Sequence, residues 1–302
     1  MSLNDIYLSL SERMRTQVCE GIKTIALSAD NPLIKEIIEY SFIPTRKLYI
    51  SVMAGASYIA SGRDDLEALS SVVTFTEAVN LGWQMIDDII DNHKIRFNRP
   101  SPKEKYGQNE TLLSALYLIH QGYSQISKYK IYHLNKLGKT FSGWLTKDIK
   151  KGKNITGCEL TLKNIANSFG VFNRIASEIA GAPTRVQESL ENYGYYMGYA
   201  MAILDECYDL KGEFGRPKAE EMRSGDDVLV VVAALEMDKI DVTRDEDPWS
   251  KLKDTNAHIY ICNQVKENAA LARESLKVIT NRNARELLEC VVNLVEGNLE
   301  NL

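Results

Sequence analysis

Apolar residues recur every three to four positions along most of the chain, and short polar segments separate the runs. This spacing indicates α-helices, and no Asn-Gly turn lies between alternating strands. Predicted helices cover residues 4–29, 33–40, 49–60, 65–90, 111–132, 134–150, 160–179, 183–210, 228–237 and 249–302. Predicted polar loops cover residues 92–107, 211–225 and 241–248. The pattern therefore predicts an all-α fold, a single domain over residues 1–302 with about ten to thirteen helices bundled around a deep apolar cavity.

One predicted helix ends in a cluster of acids. Residues 81–91 are apolar apart from Gln84 and three aspartates, which are Asp87, Asp88 and Asp91. Because a helix turns about 100° per residue, Asp87 and Asp91 lie roughly 40° apart and Asp88 about 60° to their side. Carboxylates this close repel each other, and burying them without a partner is costly. We therefore expect a positively charged ligand beside them.

A second acidic cluster repeats this spacing 118 positions later. Asp205, Glu206 and Asp209 lie in another mostly apolar helix, again close to its C-terminal end. Carboxylate oxygens are the ligands that Mg²⁺ prefers, and a helical bundle can direct carboxylates inward from facing helices. Two such clusters predict a site in which Mg²⁺ carries a diphosphate.

Composition and charge narrow the class of protein. The chain has a formal net charge of −5 and no dominant basic stripe, which argues against general nucleic-acid binding. No apolar run reaches the ~20 residues that cross a bilayer. Five cysteines occur singly, without a CxxC pair, and no signal peptide is visible. These features predict a cytoplasmic protein with reduced thiols and no membrane span.

The two acidic motifs and their flanks resemble the trans-isoprenyl diphosphate synthase (polyprenyl synthetase) family. Its two Asp-rich DDxxD motifs correspond to Asp87-Asp88-Ile-Ile-Asp91 and to Asp205-Glu206-Cys-Tyr-Asp209. Glu77 precedes the first motif by ten residues and Arg96 follows it by five, as in the family. The likeness covers roughly residues 40 to 240. It implies an all-α isoprenoid-synthase fold and a role in isoprenoid metabolism.

The resemblance also implies a substrate, a cofactor and a partner. The substrate would be an allylic geranyl, farnesyl or geranylgeranyl diphosphate, ionised by a cluster of Mg²⁺ ions expected to number three. The chain would form a homodimer. The implied metal ligands are Asp87, Asp88, Asp91, Asp205 and Asp209. The implied diphosphate-binding residues are Arg96, Arg46, Lys47 and Arg216.

Departures from the family pattern fall on the site for isopentenyl diphosphate, the second substrate. Tyr49 stands where the family's Gly-Lys-x-x-Arg motif has its arginine. Asn80 occupies the usual histidine position, and Phe97 replaces the second arginine of a pair. Each lost charge-assisted contact is worth about 1.5–3 kcal/mol, and a total of ~4 kcal/mol weakens binding about a thousandfold. We therefore expect a degraded acceptor site.

Other departures concern the expected cavity. Phe169 falls where the family has a lysine, and Met201 with Ala202 replaces a Phe-Gln pair. Trp83, one helical turn before Asp87, would point into the cavity floor. An enlarged apolar cavity beside a metal site resembles that of a class I terpene synthase.

Three functions remain open. The residues favour cyclisation, elimination or prenyl transfer to an acceptor other than isopentenyl diphosphate. Family membership favours ordinary chain elongation to farnesyl or geranylgeranyl diphosphate. A non-catalytic partner subunit of a synthase is the third. In the loop after the first motif, His93 is expected to be solvated and Arg99 to be a loop charge without a role in the site.

Overall fold

A computed structural model describes residues 3–43, 48–147, 154–213, 217–225 and 227–299. These ranges contain fourteen α-helices, one β-hairpin, one π-helical turn and one 3-10 turn. The all-α prediction is confirmed. The number of helices exceeds the predicted ten to thirteen, and four of the helices are only five residues long.

The helices and strands have the following bounds. The long helices are α1 (Leu3–Leu27), α2 (Pro32–Ser41), α3 (Tyr49–Ala60), α4 (Leu66–Ile90), α6 (Gln108–Ile126), α7 (Leu134–Lys147), α8 (Ile155–Ile179), α9 (Thr184–Lys211), α13 (Asn256–Ser275) and α14 (Arg282–Leu299). The short helices are α5 (Pro102–Tyr106), α10 (Glu220–Ser224), α11 (Leu229–Ala233) and α12 (Pro248–Leu252). The remaining elements are β1 (Ile95–Arg96), β2 (Arg99–Pro100), the π turn Ala234–Asp238 and the 3-10 turn Leu276–Val278.

The chain folds into two compact units. The first unit contains residues 1–132, 172–187 and 279–288, and the second contains residues 133–171, 188–278 and 289–302. Helices α8, α9 and α14 therefore contribute residues to both units. Within the described ranges, none of the helices combines the length and the apolar character that a transmembrane segment needs.

Helix α4 forms the core of the first unit. Its N-cap residue Asp65 accepts hydrogen bonds from the Ala68 backbone N–H and from the hydroxyl of the buried Tyr58. Most of its apolar side chains are buried, and it packs against α1, α3 and α6. Because the cap fixes one end and burial fixes the length of the helix, the acid cluster at its C-terminal end has a defined position.

A glycine allows α4 and α6 to approach closely just before the first acidic motif. A Cβ atom at Gly82 would lie 2.5 Å from the Ile119 side chain and 2.9 Å from the Ala115 carbonyl oxygen. Both distances are shorter than van der Waals contact, so no larger residue fits without displacing α6. This contact holds the last two turns of α4 against a neighbouring helix.

In the second unit, α8 and α9 cross at a second close contact. A Cβ atom at Gly198 would lie 2.8 Å from the Phe169 side chain. The Phe169 ring therefore occupies the space that Gly198 leaves open on α9. This places Phe169, a predicted cavity residue, in the contact between two helices of the same unit.

Candidate active site

The first acidic motif lies where α4 ends. Asp91 is the C-cap residue, and its backbone N–H donates to the Asp87 carbonyl oxygen at 2.9 Å. The chain then turns back, so that the His93 backbone N–H donates to the Asp88 carbonyl oxygen at 3.0 Å. The negative end of the helix dipole points toward this turn and favours a cation there.

Three side chains converge beyond this helix end. One carboxylate oxygen each from Asp87 and Asp91 and one ring nitrogen of His93 all lie within 4.8 Å of one another. An octahedral ion with ligands at about 2.1 Å has neighbouring ligands about 3 Å apart and opposite ligands about 4.2 Å apart. Small side-chain adjustments would therefore let all three residues share one divalent ion, so the donor set fits a metal site.

Asp88 makes different contacts from its two neighbours. Arg96 Nε donates to both of its carboxylate oxygens, at 2.7 and 2.9 Å, and Arg96 Nη2 donates to Oδ1. Asp88 is 1% exposed and Arg96 is 7% exposed, so the ion pair is buried. The predicted role of Asp88 as a metal ligand remains a prediction, because in this conformation its carboxylate is the counter-ion of Arg96.

Two titratable groups in this cluster have shifted pKa values. Burial opposes ionisation of Asp88, but the Arg96 charge and the hydrogen bond from His93 hold its pKa below the usual range. Burial by itself lowers the pKa of His93, whereas its hydrogen bond to Asp88 and the charge of Asp87 raise it, and the net shift is upward.

His93 itself corrects the sequence-based expectation. We expected a solvated loop side chain, yet His93 is only 5% exposed and its Nδ1 lies 3.3 Å from Asp88 Oδ1. No pattern in the sequence separates this histidine from a loop residue, apart from its position two residues after Asp91. The chain turns back after α4, and this turn places His93 beside the acids. The sequence pattern does not indicate the turn.

A β-hairpin returns Arg96 to Asp88. Strands β1 and β2 pair antiparallel, with Arg96 opposite Arg99, and the two turn residues Phe97 and Asn98 have φ values of 53° and 60°. A type I′ turn needs positive φ at both positions, which asparagine tolerates and phenylalanine does not favour. Ser101 follows β2 and holds the two ends of the hairpin together, since its hydroxyl donates to the His93 carbonyl oxygen at 2.7 Å.

A pocket opens beside this hairpin. The Arg99 guanidinium, expected to be only a loop charge, lies 4.2 Å above the Tyr40 ring and donates to the Tyr40 carbonyl oxygen. Cation–π and hydrogen-bond contacts together fix this side chain. The pocket is lined by Tyr40, Ser41, Leu81, Gln84, Met85, Asp88, Arg96, Phe97, Arg99, Pro100 and Pro102. Phe97 and two arginines thus lie at one pocket of the first unit.

Two acids of the second motif accept hydrogen bonds from the backbone of the segments that follow α9. Glu206 Oε2 accepts the Leu229 backbone N–H at 2.8 Å, at the start of α11. Asp209 is buried, and its Oδ2 accepts the Glu221 backbone N–H at 3.2 Å. Asp205 is exposed. In the part of the chain that the structure describes, none of these acids joins a group of ligand atoms close enough to share an ion.

The remaining predicted site residues occupy varied positions. Asn80 and Trp83 are half-buried on α4, and Met201 is half-buried and Ala202 buried on α9. The predicted diphosphate-binding residues Arg46, Lys47 and Arg216 lie outside the described residues. Of the predicted site residues, the structure brings together Asp87, Asp88, Asp91 and Arg96.

Comparisons with known proteins identify similar sequences and structures. The sequence profile of the family described as Polyprenyl synthetase matches residues 31–257. A prenyl transferase of Cyanophora paradoxa is 22% identical over 231 residues, which are 72% of this chain and 70% of that protein. Heptaprenyl diphosphate synthase component 2 of Geobacillus stearothermophilus is 22% identical over 191 residues, 59% of this chain and 60% of that protein.

A solved structure shows the same fold. The polyprenyl synthase of Caulobacter crescentus CB15, complexed with calcium and isoprenyl diphosphate, superposes with a TM-score of 0.84 at 16% identity. The superposition covers 98% of this chain and 97% of that one. The fold expected from the sequence resemblance is therefore confirmed.

Proposed function

This chain belongs to the polyprenyl synthetase family, and we propose that it is a metal-dependent prenyltransferase that ionises an allylic prenyl diphosphate. The observation that carries the proposal is the convergence of Asp87, Asp91 and His93 at the end of α4, with Arg96 beside them. A structural neighbour in complex with calcium and isoprenyl diphosphate supports the use of a divalent metal and this class of substrate.

Mg²⁺ is the proposed ion. Asp87 and Asp91 would hold it, and Asp205 and Asp209 are proposed as ligands of further ions, three in total. When bound, the metal neutralises the charge that develops on the departing diphosphate, as a Lewis acid does. Arg96 would add a charge-assisted hydrogen bond to a diphosphate oxygen.

Asp88 prepares Arg96 for this role. Its carboxylate binds the Nε and Nη2 edge of the guanidinium, so the orientation of the group is fixed before substrate arrives. Arg96 Nη1 makes no hydrogen bond to any residue that the structure describes. That nitrogen is the donor available to a diphosphate. The buried side chains Met85 and Ile86 precede the motif and would limit the access of water to a carbocation.

For the second step, we propose chain elongation with isopentenyl diphosphate. The relatives are named prenyl transferase and heptaprenyl diphosphate synthase component 2, and no comparison supports cyclisation or elimination. Transfer to another acceptor is the second candidate, favoured by the apolar Phe97 and by Asn80 at positions where the family carries basic side chains. Arg99, fixed at the same pocket as Phe97, offers a further cation there.

A product assay tests these proposals. Purified protein is incubated with Mg²⁺ and geranyl, farnesyl or geranylgeranyl diphosphate, with and without isopentenyl diphosphate, and products are identified by mass spectrometry. Longer diphosphates that appear only with isopentenyl diphosphate support elongation. Release of hydrocarbon or alcohol without it would refute elongation as the main reaction.

A variant pair assigns the turnover to the metal site. Asp87→Asn should lower turnover at least about a hundredfold, because it removes a ligand of the ion that stabilises the leaving group. The control Asp64→Asn removes an exposed acid that pairs with Arg13 and should leave turnover unchanged. Absence of turnover in the wild type with every allylic substrate would instead support a partner subunit.

Two further expectations accompany the proposed reaction. We propose a homodimer, which light scattering on the purified chain would measure. We also propose a cytoplasmic location, since none of the five cysteines, all in the described part of the chain, forms a disulfide.

A further inference from the structure

His93 differs from the acids beside it because it offers nitrogen. It is 5% exposed, and one of its ring nitrogens lies within 4.8 Å of an oxygen of Asp87 and an oxygen of Asp91. An exposed cluster of carboxylates alone is common on protein surfaces. A buried imidazole with a ring nitrogen close to two carboxylate oxygens is an independent feature that points to a cation.

The contact with Asp88 determines which nitrogen of His93 is available. Nδ1 lies 3.3 Å from Asp88 Oδ1, and a lone pair on Nδ1 would face a negatively charged oxygen. Nδ1 also lies 3.4 Å from Arg96 Nη2, a cationic nitrogen whose other N–H donates to Asp88. We assign the proton to Nδ1, because a negatively charged acceptor favours a donor opposite it.

With the proton on Nδ1, the lone pair is on Nε2. His93 Nε2 has no hydrogen-bond partner among the described residues. A histidine whose Nδ1–H is donated to a carboxylate and whose Nε2 is open has the arrangement found at metal-ligating histidines, where the carboxylate fixes the ring and raises its basicity. Asp88 thus orients His93 as well as Arg96.

We propose that His93 Nε2 is a protein ligand of the divalent ion that Asp87 and Asp91 hold. This inference rests on the proposed metal-dependent function and adds a nitrogen donor to a site predicted to contain oxygen alone. Imidazole favours first-row transition ions, whereas Mg²⁺ prefers oxygen ligands and water. A site with this imidazole ligand should therefore prefer Mn²⁺ and Co²⁺ over Mg²⁺ more strongly than a site with carboxylate ligands only.

Electron spin-echo spectroscopy of Mn²⁺ tests direct coordination. The full chain is mixed with Mn²⁺ and inorganic pyrophosphate, and a ¹⁴N modulation from a bound imidazole is expected in the wild type. The modulation should vanish in His93→Ser and persist in His120→Ser, since His120 is an exposed histidine on α6. Labelling the four histidines with ¹⁵N should replace the ¹⁴N signal in the wild type, which tests the ligand without any variant.

Metal titrations give a second readout. His93→Ser should weaken Mn²⁺ binding by about tenfold or more, and Mg²⁺ binding by less, so the preference for Mn²⁺ falls. If the wild type binds Mn²⁺ without a nitrogen modulation, and Asp87→Asn no longer binds Mn²⁺, the His93 inference is wrong and the metal site stands. If the wild type binds no Mn²⁺ even with pyrophosphate, the proposed function fails together with the inference.

Discussion

Asp87 and Asp88 are adjacent acids with different contacts, and replacing each by asparagine separates their roles. Asp88→Asn leaves the buried Arg96 charge with Asp87 as its nearby acid, at 3.9 Å. Breaking a buried ion pair by removing one partner costs about 3–5 kcal/mol. Because the asparagine amide still accepts one hydrogen bond, we expect the free energy of unfolding to fall by about 3 kcal/mol.

Asp87→Asn should behave in the opposite way. The Asp87 side chain is 27% exposed and lies 3.9 Å from Arg96, a contact worth little in water. The free energy of unfolding of the metal-free protein should change by no more than about 0.5 kcal/mol. Mn²⁺ binding should nevertheless fall further than in Asp88→Asn, where the loss of an orienting group weakens binding by about 10- to 100-fold.

Urea denaturation in EDTA and calorimetric titration with MnCl₂ measure the two quantities. The double variant Asp88→Asn with Arg96→Met removes both charges, so it should lose less free energy than the two single variants together. The reasoning is refuted if Asp88→Asn unfolds at the wild-type urea concentration while losing all Mn²⁺ binding, because Asp88 would then be a metal ligand instead of a counter-ion.

Two further predictions concern the elements that hold the site. Gly82→Ala places a methyl group 2.5 Å from Ile119 and should cost about 1–3 kcal/mol in urea denaturation, whereas Gly138→Ala, with open space around it, should be neutral or stabilising. Asp65→Ala removes the α4 cap and the partner of Tyr58, and should cost about 0.5–2 kcal/mol at pH 7. The hydrogen bond from Tyr58 lowers the pKa of Asp65, so its contribution is present above the unfolded pKa of about 3.9 and is lost as the pH falls through the folded value. The deficit of Asp65→Ala should therefore shrink in acid, and a deficit that is constant down to the lowest pH would contradict this account.

The long helices could be predicted closely from the sequence. The prediction of helix over residues 65–90 corresponds to Leu66–Ile90, and that over 183–210 corresponds to Thr184–Lys211. Both helices are long and largely buried, so the apolar periodicity extends over many turns and dominates local preferences. Their ends were also predictable, because Asp65 is a typical N-cap residue and Pro183 precedes the second helix.

The segment after the first motif was not predictable in this way. Residues 92–107 were expected to form a polar loop, yet they contain the hairpin and α5. Strands of two residues have no periodicity to detect, and the turn has Phe97 where glycine or asparagine would signal positive φ. Two of the five-residue helices, α5 and α10, were missed for the same reason, since five residues are too few to show a helical pattern, and both lie in segments predicted as polar loops.

The division of roles among the three acids follows from the helical angles that the sequence already fixes. Asp87 and Asp91 lie on one side of α4, and Asp88 lies about 60° away, where the hairpin returns Arg96. An unpaired guanidinium 3.9 Å from Asp87 would compete with a metal ion for that carboxylate. In the proposed site, Asp88 neutralises Arg96, so the charge of Asp87 would remain for the metal, and the same pairing would keep a cation beside the diphosphate. A single acid displaced to the side of the helix therefore makes it possible for a metal ion and an arginine to act in one site without opposing each other.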